Sequence, residues 1–257
     1  MTGVKIQRLF GVLAVTSAFA LPCSVPALAQ TTDAGKALVA NEALQQVIHD
    51  YILAHPEVLI QSLRIAKERE ETRVAEQNKA LVASFKNDLV DDPNAPVRGN
   101  PSGDVTLVEF FDYRCPYCRQ VEPFIQALMK NDPGLRVVEK EFPILGPASV
   151  YAARVALAAY KQGKHEQFHN AVMSKISNVD EATLLKLAEG EGLDLDRLKT
   201  DMNSPEVDAE IKRTTEIANA LRLSGTPAFI VGTELIPGAT DLETLQSLLD
   251  EARHGTN

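Results

Sequence analysis

The sequence holds no tryptophan, only 3 cysteines, and aromatic residues make up just 5% of it. So sparse a set of rings offers no stacking platform for bases. Basic clusters are missing too. Nowhere do more than two Lys or Arg adjoin, and the net charge is −9. That acidic balance argues against nucleic acid or an anionic membrane as the main partner. No glycine falls between Gly35 and Gly99, and the stretch 31–90 carries a single proline, Pro56. Such a stretch, rich in helix formers, contrasts with the turn-rich chain after it.

The first 29 residues read as a cleaved secretory signal. Lys5 and Arg8 precede an apolar run from Leu9 to Leu21, too short to span a bilayer comfortably, and Ala27-Leu28-Ala29 forms a small-residue cleavage site before Gln30. Pro22 before Cys23 speaks against lipidation of that cysteine. Cleavage removes Lys5, Arg8 and Cys23, taking the charge from −9 to −11 and leaving two cysteines, Cys115 and Cys118. An exported chain whose only thiols form one Cys-x-x-Cys suits a redox catalyst better than a disulfide-stapled scaffold.

That pair sits in Asp112-Tyr-Arg-Cys-Pro-Tyr-Cys-Arg119, between a strand-like run, Val105–Phe111, and a helix-like run through Val121, Ile125, Leu128 and Met129. A sulfur at a strand-to-helix junction lies near the unpaired N–H groups and positive dipole end of the helix, which favours thiolate over thiol. The dipole supplies up to ~2 kcal/mol, or about 1.5 pKa units. A deeper shift requires N–H···S hydrogen bonds from the turn at Pro116-Tyr117. The pattern therefore predicts thiol–disulfide exchange, with Cys115 attacking and Cys118 resolving. Half a zinc site is the plain alternative, but zinc wants two more Cys or His ligands and there is no second Cys pair; a structural staple is the other.

About a hundred residues later, Ser224-Gly-Thr-Pro227 leads into the short apolar strand Ala228–Val231. A Cys-Pro-Tyr-Cys after a strand with a Gly-Thr-Pro before another resembles the thioredoxin superfamily, specifically its DsbA-like branch. The resemblance covers roughly Val97 to the C-terminus. It implies a cis Pro227 beside the active-site pair and a Thr226 that offers backbone hydrogen bonds to substrate. It also implies that Glu109 is a buried acid relaying protons for the resolving cysteine. Without the resemblance, Glu109 reads equally as an exposed or salt-bridged side chain.

The predicted architecture is α/β: a thioredoxin-like fold with an inserted helical subdomain at about 149–223, preceded by an extended helical N-terminal module at 30–90. In the module, Leu44, Val47, Ile48, Tyr51 and Ile52 mark an amphipathic helix that Pro56 ends while opening the next. From Glu57 to about Val90 nothing breaks the helical pattern, which predicts a rod of roughly 50 Å. Its middle, Lys67–Lys79, has eight charged residues of thirteen. The apolar end predicts packing on copies of itself, against the plainer alternative of a solvated helix folded back on its own domain. Asp91–Pro96, with two prolines, is the predicted boundary to a catalytic domain over 91–257. There Val97 begins an edge strand, Leu135–Phe142 is a third strand, and Thr240 with Glu243 forms a capping box for a last helix.

One further motif, His165-Glu-Gln-Phe-His169, fits the H-E-x-x-H of zinc proteases, but that chemistry also needs a third protein ligand and a cleft. His49, His55 and His254 carry no pattern.

The expected protein is thus a periplasmic thiol–disulfide oxidoreductase needing no cofactor beyond the Cys115–Cys118 redox pair. Its expected partners are unfolded or misoxidised secreted proteins and a membrane redox partner that recycles the site. The helical extension resembles that of the ScsC (suppressor of copper sensitivity) branch, which implies a homo-oligomer, a trimer foremost, acting as isomerase or reductase. A monomeric dithiol oxidase is the near rival, and a copper(I)-binding interaction protein with two soft thiolates is the distant one.

Overall fold

The computed structural model describes residues 42–175 and 179–255. The leader expected over residues 1–29, its Cys23 and the first part of the helical module lie outside the described residues. Among the described residues no helix is long and apolar enough to cross a membrane. The chain separates into two compact units, Met1–Ile65 and Ala66–Asn257.

One residue, His55, separates α1 (Glu42–Ala54) from α2 (Pro56–Ser84), of which the part up to Ile65 is grouped with the first unit. Pro56 opens α2 because its missing N–H falls where a helix has no partner for one. Val47, Leu53, Ile60 and Leu63 of this unit are each at least 60% exposed. One copy of the chain leaves these apolar side chains in water.

The rod expected to run unbroken to Val90 is interrupted at Phe85, between α2 and α3 (Lys86–Val90). The Ser84 hydroxyl donates to the Leu81 carbonyl at 2.7 Å, and the Phe85 N–H is shared between the Leu81 and Val82 carbonyls. A side chain competing for a backbone acceptor bends a helix in this way. Val82, just before the break, and Leu89, past it, enter one core with Val108, Val138 and Ile230 of the sheet. The stretch 66–90, grouped by composition with the N-terminal module, thus belongs to the same compact unit as the sheet.

The sheet has the order β1-β3-β2-β4-β5. Its strands are β1 (Val97–Gly99), β2 (Val105–Phe111), β3 (Leu135–Glu141), β4 (Ala228–Val231) and β5 (Glu234–Pro237). β2 and β3 run parallel, joined through α4 (Pro116–Asn131), while β1, β4 and β5 pair antiparallel. β2 and β3 are buried on both faces, which explains the near-continuous apolar run of β2. On the face beneath α4 and α10 (Leu242–His254), Val105, Leu107, Leu135, Val137 and Phe229 pack together. The period-2 alternation puts Glu109, Phe111, Glu139 and Glu141 on that same face farther along the strands. The sheet face therefore turns from apolar to acidic at the ends that lead into the Cys-x-x-Cys loop.

The segment expected to be helical forms α5 (Pro147–Lys161), α6 (His165–Lys175), α7 (Glu181–Gly190), α8 (Leu195–Asp201) and α9 (Pro205–Ala220). Phe168, Ala156, Leu184 and Leu198 build its core, which continues into Phe111, Tyr113 and both cysteines. The cap of α10 is Asp241 rather than Thr240: its carboxylate accepts the Thr244 N–H at 2.8 Å. Asp is the stronger capping residue of the two, so the helix starts one residue later.

Candidate active site

The turn from β2 into α4 is held by Asp112. Its buried carboxylate accepts the N–H groups of Arg114, Ile144 and Leu145 at 2.8–3.0 Å. Its carbonyl accepts the Cys115 N–H at 2.9 Å. This fixes Cys115 in extended conformation as the N-cap of α4, with Pro116 in the first turn. Cys115 keeps 4% of its surface exposed and Cys118, one helical turn on, keeps none.

The Thr226–Pro227 peptide is cis and lies beside this sulfur. The Cys115 thiol donates to the Thr226 carbonyl at 3.1 Å. A hydrogen bond from the Cys118 thiol, working against burial, lowers the Cys115 pKa to about 5; the Thr226 side chain and the N–H groups of Cys118 and Tyr117 assist. Burial pushes Cys118 strongly upward, and its bond to Cys115 and the nearby Glu109 charge act in the same direction. At neutral pH the pair therefore holds one thiolate and one thiol. Tyr117, Ile144 and Leu145 add an exposed apolar rim.

Glu109 lies under α4, 1% exposed, and neither carboxylate oxygen has a hydrogen-bond partner. Burial, then Glu139 and Glu122, raise its pKa well above the usual carboxylate range. Around it lies a charged cluster that local sequence patterns do not reveal. Arg98 of β1 forks onto Glu122 of α4 at 2.7 and 3.0 Å and pairs through Nε with Glu139 of β3. His169 of α6 lies 3.0 Å from Glu139 and 3.3 Å from Glu122, and its Nδ1 is 3.2 Å from the Tyr113 hydroxyl. Burial opposes the charge on His169, but the two carboxylates raise its pKa to about 9. Glu122 is held down to about 2, against burial, by His169 and Arg98. Period-2 alternation in Leu135–Glu141 is the one sequence signal for this cluster, because it puts Glu139 and Glu141 on the face of Leu135 and Val137.

The H-E-x-x-H residues divide. His165 and His169 are buried and converge with Glu139, one ligand atom from each lying within 4.8 Å of the others. Glu166 is exposed, so the base of a zinc protease does not reach this place.

The arrangement of α/β sheet, N-capping cysteine and neighbouring cis-proline defines a thioredoxin-like thiol–disulfide centre. The DSBA-like thioredoxin domain family matches residues 106–250, and the chain belongs to that family. A thioredoxin-like oxidoreductase from Silicibacter pomeroyi is 48% identical, covering 65% of this chain and 97% of that one, with a TM-score of 0.64. The catalytic domain of Proteus mirabilis ScsC is 25% identical, covering 68% and 98%, with a TM-score of 0.62. The thiol:disulfide interchange protein DsbA of Bordetella parapertussis is 28% identical, over 54% of this chain and 68% of that protein. A Na(+)/H(+) antiporter NhaA of Salinispora tropica is 32% identical over 63% of this chain, and the match spans about 25% of the antiporter's length. The resemblance to DsbA-like proteins and to ScsC thus stands, and the antiporter match concerns only a portion of that longer protein.

Proposed function

We propose that the chain is a periplasmic thiol–disulfide oxidoreductase acting on secreted proteins. The observation that carries this reading is the split between the two sulfurs: Cys115 lowered to about 5 at the head of α4, Cys118 raised and buried behind it. The Cys115 thiolate attacks a substrate disulfide, an S–S bond forms between Cys115 and one substrate sulfur, and the other leaves as thiolate. Cys118 then loses its proton and attacks Cys115. The Cys115–Cys118 disulfide forms, the second substrate sulfur leaves, and two electrons have passed to the substrate. Run backwards, the same steps oxidise a dithiol. Glu109 takes the Cys118 proton from beneath α4. Thr226 receives the substrate backbone beside Pro227, and the apolar rim of Tyr117, Ile144 and Leu145 receives side chains of unfolded protein. A membrane redox partner resets the sulfurs, and no cofactor beyond them takes part.

The exposed apolar residues of α1 and early α2 support a homo-oligomer, a trimer foremost, in which several sites meet one substrate and shuffle its disulfides. The low Cys115 pKa supports the second reading, a monomeric dithiol oxidase, because a stabilised thiolate makes the disulfide more oxidising. Thiol trapping in cells separates them: a mostly reduced pair supports isomerase or reductase, a mostly oxidised pair the oxidase. Cys118→Ser separates both readings from a copper(I)-binding interaction protein: redox turnover vanishes in a thiol–disulfide catalyst, whereas an interaction scaffold keeps its partner.

A further inference from the structure

The motif His165–His169 has no part in the sulfur chemistry, yet the fold completes it. Alternation on β3 turns Glu139 and Glu141 toward α6, and the i, i+4 spacing turns both histidines toward β3. His169 Nδ1 lies 3.0 Å from Glu139 Oε2, and His165 Nε2 lies 3.8 Å from both Glu139 Oε2 and Glu141 Oε1. Zinc bonds of about 2.0–2.2 Å in a tetrahedron set ligand atoms roughly 3.3–3.6 Å apart. These three separations bracket that span; Glu139, His165 and His169 already converge within 4.8 Å, and Glu141, beside His165, has to turn toward the other two to complete the tetrahedron.

A second observation points into the same space. His165 is 5% exposed, and neither of its ring nitrogens has a hydrogen-bond partner; Glu141 Oε1 also lacks one. Buried imidazoles are normally hydrogen-bonded or bound to a metal. We propose that Glu139, Glu141, His165 and His169 form a closed, four-coordinate zinc site that fastens α6 to β3 beneath the active-site helix.

The surroundings suit it. Glu122 stands 3.3 Å from His169 Nε2, the carboxylate–histidine pairing that orients metal-bound imidazoles. Glu122 is itself held by Arg98 and, at 2.9 Å, by Gln126. Arg98 pairs with Glu139 Oε1, leaving Oε2 for the metal. The Tyr113 hydroxyl, 3.2 Å from His169 Nδ1, yields that contact to the metal. Two carboxylates balance the zinc charge, and Glu122 balances Arg98. With four protein ligands, no open position and Glu166 facing solvent, the site is structural and not hydrolytic. Mixed nitrogen and oxygen donors in a tetrahedron favour zinc over copper(II), which prefers tetragonal geometry.

The test uses the full chain carrying Cys115→Ser and Cys118→Ser, so that the thiols bind no metal. The protein is stripped with chelator, incubated with zinc chloride, desalted, and its metal measured by atomic emission. One zinc per chain is expected, retained in Glu166→Gln and lost in His165→Gln, whose folding is checked by circular dichroism. His165 makes no hydrogen bond in the metal-free chain, so this exchange leaves no partner stranded. Zinc should also raise the melting temperature of the parent and not of His165→Gln. Independently of any site variant, cobalt(II) loading is expected to give the intense visible bands of tetrahedral coordination. No retained zinc, equal retention in His165→Gln, or octahedral cobalt spectra would overturn the proposal.

Discussion

Glu109 on β2 and Glu139 on β3 are in-register partners of a parallel pair, both 1% exposed, yet their pKa values are pushed in opposite directions. Burial disfavours charge on each. Arg98 and His169 overcome it at Glu139, whose pKa is lowered, while Glu109 is raised by burial and by the Glu139 charge. A carboxyl group whose pKa is raised in this way lies beneath the helix that carries both sulfurs.

Arg98 is the counter-charge for two buried carboxylates, Glu122 and Glu139. Removing one member of such a cluster leaves uncompensated charge in the core, at a typical cost of about 3–5 kcal/mol. Arg98→Leu is therefore expected to lose that much stability in urea unfolding at neutral pH. A change under ~1 kcal/mol would mean that the cluster contributes no net support.

Glu109→Gln keeps the shape of the side chain and removes its ability to take a proton. The expected result is a longer-lived mixed disulfide at Cys115, because Cys118 loses its acceptor, with the Cys115 titration unchanged. Acid-quenched trapping of the intermediate over time measures this. Unaltered decay would remove Glu109 from the mechanism.

In the reduced protein Cys115 is expected to be half ionised at about pH 5, read from ultraviolet thiolate absorbance. The folded pKa is depressed below the ordinary thiol value of 9.0, so its contribution to stability is present above that value and declines as pH falls toward 5. Cys118→Ala removes the leading hydrogen bond and is expected to raise the midpoint by about one to two pH units; Cys118→Ser, which still donates, raises it less. Equal midpoints for Ala and Ser would show that the bond has no effect.

Thr226→Val retains the carbonyl that takes the Cys115 S–H and deletes the side chain that assists the thiolate. Thr226 is half-buried, so little packing changes. Turnover and mixed-disulfide lifetime are expected to shift while the melting temperature moves by only a few degrees. Matching losses of stability and activity would assign Thr226 a structural role.

Deleting residues 31–66 takes away α1 and the apolar start of α2, and the second compact unit begins at Ala66. The truncated chain is expected to be a folded, redox-active monomer, and the full chain an oligomer. Refolding of scrambled ribonuclease should be lost on truncation, while simple dithiol oxidation is kept or increased. Light scattering that finds the full chain monomeric at micromolar concentration would discard the oligomer and favour the oxidase.

Local patterns in the sequence determined the elements and the sulfur chemistry. The apolar run Val105–Phe111, the cysteine pair opening α4, Pro56 dividing α1 from α2 and Pro227 before β4 each act within a few residues of themselves. The resemblance that those motifs support also pointed to Glu109. Tertiary structure alone decided what surrounds it. Arg98, Glu122, Glu139 and His169 come from four different elements, and only strand register with helix packing brings them within hydrogen-bond distance. Their protonation states depend on burial and on one another, and neither can be read from a neighbouring residue. The same holds for H-E-x-x-H: the sequence supplied two histidines, and the β2–β3 register with α6 packed on it supplied Glu139 and Glu141. At Phe85 and Thr240 the local pattern misled, because Ser84 and Asp241 competed for backbone groups that the pattern had assigned elsewhere.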